Sequence, residues 1–209
     1  MNKGLFIAVY GVNNIGKSTH CRILCEKLKR EGYQVISLKY PVYDLIPTGH
    51  RLNEILRGGG EQEVSEQELQ ALFTQNRQDF EPQLQAYLDA GNIVVAEDYT
   101  GTGIAWGMAK GLPQDFMEGL NAELLSEDFA LLLTGQRDAR ATEKQHIHEQ
   151  NQDLLASVNT IFSQLAAERG WKTLEIQPDV ADTANLVWKT VQAFLEQHPE
   201  VPKSPERIE

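Results

Sequence analysis

The segment GVNNIGKS, Gly11 to Ser18, constrains this chain more than any other stretch. It fits the pattern G-x-x-x-x-G-K-S, in which a glycine-bent loop turns its backbone N–H groups toward a triphosphate. Each fixed position has a chemical task. Gly11 and Gly16 let the backbone bend where a side chain would obstruct it. Lys17 reaches the β- and γ-phosphates, and Ser18 offers a hydroxyl to Mg²⁺. A helix that starts at this point turns its positive end to the anion. The flanks agree. LFIAVY, Leu5 to Tyr10, has the length and apolar character of a buried strand. After the loop, Cys21, Leu24, Cys25 and Leu28 recur at helical spacing, and Gly32 ends the helix. Asn13, Asn14, Ile15 and Thr19 complete the set of loop residues expected around a bound nucleoside triphosphate.

Composition narrows the partners. The chain has 209 residues, with 41% hydrophobic and 23% charged, which suits one globular domain. Its net charge of −11 argues against general nucleic-acid binding, so any anion must be met by a few aimed cations. No apolar run approaches the roughly 20 residues of a membrane helix. The apolar start leads straight into the loop and reads as a first strand, not a signal peptide. Cys21 and Cys25 lie on one helical face with no further ligands, so they read as small buried residues. Nothing points to an oxidising compartment, and the cytoplasm is the expected location.

Along the chain, strand and helix alternate. Strands are expected at 5–10, 33–40, 92–99, 129–135 and 171–176. Helices are expected after the loop and near 50–57, 65–90, 103–110, 114–125, 150–169 and 182–196. Ser65 with Glu68 is a capping box for the long helix, which Pro82 is expected to kink or divide. Five apolar strands alternating with helices predict an α/β three-layer sandwich with a five-stranded parallel sheet. The kinase-type domain is expected over 1–196, with a lid near 136–150, and 197–209 reads as a disordered tail.

Two further clusters carry chemistry. Phe73 and Arg77 are four apart and share a helical face, an arrangement suited to a nucleobase: the ring stacks and the guanidinium donates to a carbonyl. The residues alone equally allow Phe73 in the core and Arg77 as a surface charge. Glu97, Asp98 and Tyr99 stand at the carboxyl end of a buried strand, where open α/β sheets place their ligands. Carboxylates there, facing Ser18, suit hydrated Mg²⁺ or a nucleophile's proton.

FIAVYGVNNIGKST, the strand ending in Tyr40-Pro41, ALFTQNR (71–77) and AEDYTGTGIAW (96–106) together resemble the thymidylate kinases, over roughly residues 4 to 195. The resemblance implies a P-loop NTPase fold and transfer of the ATP γ-phosphoryl group to a deoxynucleoside monophosphate, dTMP foremost, with Mg²⁺ and in a homodimer. It implies Lys17, Glu97 and Asp98 as catalytic residues, and Ser18 and Glu97 as metal-holding ones. Phe73 would stack on the base and Arg77 would bond a base oxygen. Tyr99 would lie against the sugar, with Pro41 and Thr102 also in the acceptor site.

The chain departs from the family pattern at the acceptor phosphate. Asp98 stands where the family has a phosphate-binding Arg after its first acid, which reverses the charge. Val42 and Tyr43 follow Pro41 where many members carry another Arg. Asn13 replaces an Asp inside the loop, and neither Asn14 nor Ile15 supplies a loop arginine. The lid pattern falls on His146-Ile147-His148, leaving Arg137, Arg140 and Lys144 as lid cations over ATP. Three outcomes fit these changes. Lys39, Arg51 or a lid residue takes over the clamp; the acceptor is a nucleoside, with Glu97 or Asp98 as base; or the protein binds nucleotides with little catalysis.

Overall fold

A computed structural model describes residues 4–57, 64–135 and 152–203. Its centre is a five-stranded parallel sheet built from β1 (Leu5–Tyr10), β2 (Val35–Lys39), β3 (Ile93–Glu97), β4 (Phe129–Thr134) and β5 (Lys172–Glu175), in the order β2-β3-β1-β4-β5. The three middle strands are nearly continuous apolar runs because both of their faces are covered. On one face lie α1 (Lys17–Arg30) and α7 (Val180–Leu195). The other carries α3 (Glu66–Asp89), α4 (Thr100–Ala109), α5 (Gln114–Asn121) and α6 (Gln152–Arg169), while α2 (Thr48–Arg57) packs on α3. Three layers follow, as expected for an α/β chain of this pattern.

Register sets the site. Val9 of β1 pairs with Glu97 of β3, and Glu97 pairs with Lys39 of β2. The ends of three strands therefore stand side by side, and the loop after β1 begins beside the carboxylates that end β3. Asp98 fixes this seam further, its N–H donating to the Val9 carbonyl at 3.1 Å.

Local rules hold in most places. Ser65 and Glu68 form the complete capping box that starts α3, a feature worth about 1 kcal/mol. Pro82 is the exception. It neither divides nor ends α3, which runs unbroken to Asp89. A mid-helix proline costs about 3 kcal/mol locally, but Leu69 on one side and Leu84 and Leu88 on the other are fully buried, so packing of both halves outweighs it. Residues 197–203, expected in a disordered tail, instead pack on the body. Val201 is buried in the core, and Lys203 makes an antiparallel bridge with Tyr33 while its ammonium sits 4.8 Å from the Tyr33 ring.

Candidate active site

The loop after β1 takes the shape its glycines allow. Gly11 has φ 142° and Gly16 φ 101°, and Asn14 also sits in the left-handed region at 61°. A Cβ on Gly11 would lie 2.8 Å from the Leu133 carbonyl, so only glycine passes there. Ile15 turns inward and is buried, which pins the loop to the core. Gly16 caps α1 without any side-chain bond. The first-turn N–H groups thus gain no cap from this residue, and anions are their natural partners. Lys17 is only 5% exposed. Its Nζ donates to the carbonyls of Gly11 (2.8 Å) and Val12 (3.1 Å), and lies 3.6 Å from Asp98 Oδ1.

Beside the loop stands a carboxylate centre. Ser18 Oγ donates to Glu97 Oε1 at 2.8 Å, and Lys39 Nζ reaches the same oxygen at 2.9 Å. Asp98 is held at φ 64°, a conformation that Asp tolerates better than most residues. Its Oδ1 accepts from Thr102 Oγ1 at 2.7 Å. Burial pushes the Asp98 carboxyl above its ordinary pKa, against the pull of Lys17. Ser18 and Glu97 supply neighbouring oxygen donors of the hard type that suits a hydrated Mg²⁺ ion.

These groups open into a cavity of about 630 Å³ that is also lined by residues of α3 and α4. Phe73 and Trp106 line it, and so does Arg77, which is only 5% exposed. Arg77 Nη1 donates to Asn121 Oδ1 (3.2 Å) and Nη2 to the Tyr99 carbonyl (3.1 Å), while Nε has no partner. No carboxylate lies within ion-pair distance of Arg77 among the described residues. The surface-charge reading of Arg77 is therefore wrong, and burial alone pulls its pKa down. A buried cation without an anion is costly, and a cavity beside it implies a ligand with acceptor oxygens.

A phosphate loop, a carboxylate pair and a half-buried aromatic ring with a buried guanidinium thus share one cavity, as the sequence motifs suggest. The family model described as thymidylate kinase matches residues 9–187. The chain belongs to the thymidylate kinase family. It is an ATP-dependent nucleotide kinase with a P-loop NTPase fold. The thymidylate kinase of Xanthomonas oryzae pv. oryzae is 30% identical over 167 residues, covering 78% of this chain and 72% of the relative. A protein of Invertebrate iridescent virus 6, whose name classes it with the thymidylate kinases, is 25% identical over 194 residues, with 92% and 90% covered. The solved thymidylate kinase of Candida albicans superposes with a TM-score of 0.75 at 22% identity, over 99% of this chain and 97% of that one. That last likeness concerns the fold.

Placed against the thymidylate kinase pattern, the expected residues divide. Asn13, Asn14, Gly16, Lys17, Ser18, Thr19, Lys39, Pro41, Phe73, Arg77, Glu97, Asp98 and Thr102 all line the cavity. Gly11 and Ile15 shape the loop from behind. Tyr99 does not face a sugar: its ring is 1% exposed and packs in the core against Phe6 and Tyr40. Arg51 is exposed, pairs with Glu54 at 3.3 Å and does not line the cavity. Arg137, Arg140, Lys144, His146 and His148 lie outside the described residues. Sequence reasoning passed over Glu66, Gln70 and Lys110, which also line the cavity. The spacing 66–70–73–77 places the first two on the Phe73–Arg77 face of α3, so the signal was present in the helix period. Tyr43, at the position of a missing family arginine, lines the cavity with the Arg57 guanidinium 4.9 Å from its ring.

Proposed function

We propose that this member of the thymidylate kinase family transfers the γ-phosphoryl group of ATP to a phosphate oxygen of dTMP, giving ADP and dTDP. The observation that carries the acceptor assignment is Arg77, a buried guanidinium that lines the same cavity as Phe73 and the phosphate loop. It suits a base that stacks and offers a carbonyl oxygen. ATP suits the loop, whose glycine-bent backbone, lysine and helix N-terminus are the groups that receive a triphosphate. Lys17 must exchange the Gly11 and Val12 carbonyls for phosphate oxygens as ATP enters, so its bonds to those carbonyls keep a buried ammonium solvated until then. Ser18 and Glu97 would hold Mg²⁺, which would supply neutralisation of the phosphate charge. Lys39 is the cation placed to meet the acceptor phosphate, at the strand end beside Pro41 and Glu97.

The same reading includes a homodimer and a cytoplasmic location. Free, buried Cys21 and Cys25 support a reducing compartment, and the net charge of −11 supports small-molecule partners over nucleic acid. Light scattering tests the dimer.

One observation favours a second reading. Asp98 is a carboxylate inside the acceptor cavity, its pKa raised toward the range useful for a base. A nucleoside hydroxyl as acceptor would profit from it. An ADP-release assay with ATP·Mg²⁺ and parallel dTMP, dUMP, dCMP and thymidine separates the two. Selective turnover of dTMP supports kinase action on the monophosphate, and turnover of thymidine alone overturns it.

A further inference from the structure

Gln70 is 3% exposed, and its Oε1 has no hydrogen-bond partner although it borders the cavity. A buried acceptor left unmade costs free energy, so its retention points to a ligand donor. The orientation of this amide is set chemically. Gln70 Nε2 donates to Glu66 Oε1 at 2.8 Å, and Glu66 Oε2 pairs with Lys110 Nζ at 2.6 Å. An ionised carboxylate only accepts. With Glu66 paired to Lys110 and accepting from the amide's NH₂, the carbonyl oxygen of Gln70 is left without a partner at the cavity wall. Its neighbour there is Arg77. A Cβ built on Gly103 would lie 2.9 Å from Arg77 Nη2 and 3.4 Å from Gln70 Oε1, so donor and acceptor flank one glycine.

We infer that Gln70, oriented by Glu66 and Lys110, accepts the N3–H of the pyrimidine while Arg77 donates to the adjacent 4-oxo group, so that the pair selects 4-oxo pyrimidines over cytosine. The inference rests on the proposed nucleotide kinase activity and assigns its base selectivity. Thymine and uracil present a carbonyl beside an N–H. Cytosine presents the reverse, an amino group beside a bare ring nitrogen. Against Arg77 and Gln70 it would set donor against donor and acceptor against acceptor. A site built to pair polar edges rejects a mispaired analogue strongly, because its own buried groups are then left unpaired. Gly103, lacking a Cβ, leaves room for both side chains against α4. Glu66 and Lys110 act through Gln70 and are positioning residues.

The test is the ratio of kcat/KM for dTMP to that for dCMP. Gln70→Met keeps length but removes the acceptor, and the ratio is expected to fall at least about tenfold. Glu66→Gln replaces a carboxylate that only accepts with an amide that can do either. The Gln70 amide can then turn, and turnover of dCMP is expected to rise in absolute terms, which simple loosening of the site would not produce. Glu66→Gln also decides the matter if Gln70→Met fails to fold. A direct readout is the imino proton of bound dTMP by NMR, protected in the wild-type protein and absent with Gln70→Met. Unchanged ratios in active variants, or an imino signal indifferent to Gln70, would overturn the inference while leaving the kinase activity standing. If the wild-type protein turns over no monophosphate, the proposed activity falls and the imino signal still decides the role of Gln70. Failure of dTMP to bind at all overturns both.

Discussion

Lys17 Nζ and Asp98 Oδ1 lie 3.6 Å apart, and the arrangement joins the phosphate loop to the end of β3. It sets a carboxylate against the ammonium that must meet phosphate. The pair does not fully compensate the burial of Asp98, whose pKa is raised from 3.8, with burial as the largest cause. A carboxyl with a raised folded pKa contributes stability below its unfolded pKa and loses it as pH rises through the folded one. Asp98→Asn removes that loss, and Asn tolerates the left-handed backbone that residue 98 requires. The variant is expected to melt higher than the wild-type protein at pH 7, with the gap closing as pH falls through the Asp98 pKa. Melting curves across pH check this; a lower melting temperature at pH 7 would mean that the Lys17 contact outweighs desolvation.

Lys39 tests the rebuilt acceptor clamp. Its side chain is 59% exposed and held at Glu97. Lys39→Met is expected to raise the KM for dTMP about tenfold, with little change in the KM for ATP, because a charge-assisted contact to phosphate contributes roughly 1.5–3 kcal/mol. Steady-state kinetics with each substrate varied in turn measures this. An unchanged KM for dTMP would assign the clamp to another cation.

Glu97→Gln tests the metal centre. It keeps the shape beside Ser18 but removes the charge that meets both the Ser18 hydroxyl and Lys39. The Mg²⁺ concentration for half-maximal activity is expected to rise about 10- to 100-fold. A magnesium titration at saturating ATP reads the shift, and an unaltered requirement would remove Glu97 from the metal site.

Two glycines of α4 separate binding from packing. A Cβ on Gly103 would meet Arg77 at 2.9 Å, whereas one on Gly101 would run into the Trp171 ring, away from the cavity. Gly103→Ala is expected to raise the KM for dTMP about tenfold or more by displacing Arg77, since small misplacements of binding groups carry large penalties. Gly101→Ala is expected to lower stability by about 1–3 kcal/mol through overpacking, with the KM for dTMP unchanged. Chemical denaturation and kinetics on both variants provide the comparison.

The loop and its strand were legible because their residues answer to chemistry at fixed spacing, and the alternation of apolar runs led to the right sheet. Tyr99 was misplaced for a geometric reason. Simple strand alternation puts residues 97 and 99 on one face, but the left-handed turn at Asp98 breaks it and sends the Tyr99 ring into the core. Pro82 does not divide α3, because burial on both sides of it outweighs the local cost. Gln70 was missed because a lone polar residue on a helix gives no hint of burial; that comes from α4 packing across it. Val201 stands among prolines and charges, where no periodicity marks it as core.

The bridge between Tyr33 and Lys203 bears on how one open edge of the sheet is guarded. β2 is an edge strand, and an open edge invites strands from other molecules. Residues 201–203 occupy the entry to that edge, with Val201 anchoring them and the Lys203 ammonium placed over the Tyr33 ring. The Tyr33 end of that edge is thus covered by a segment far from the chemistry, and a protein shortened to residue 196 would keep every cavity residue named here while uncovering the approach to β2.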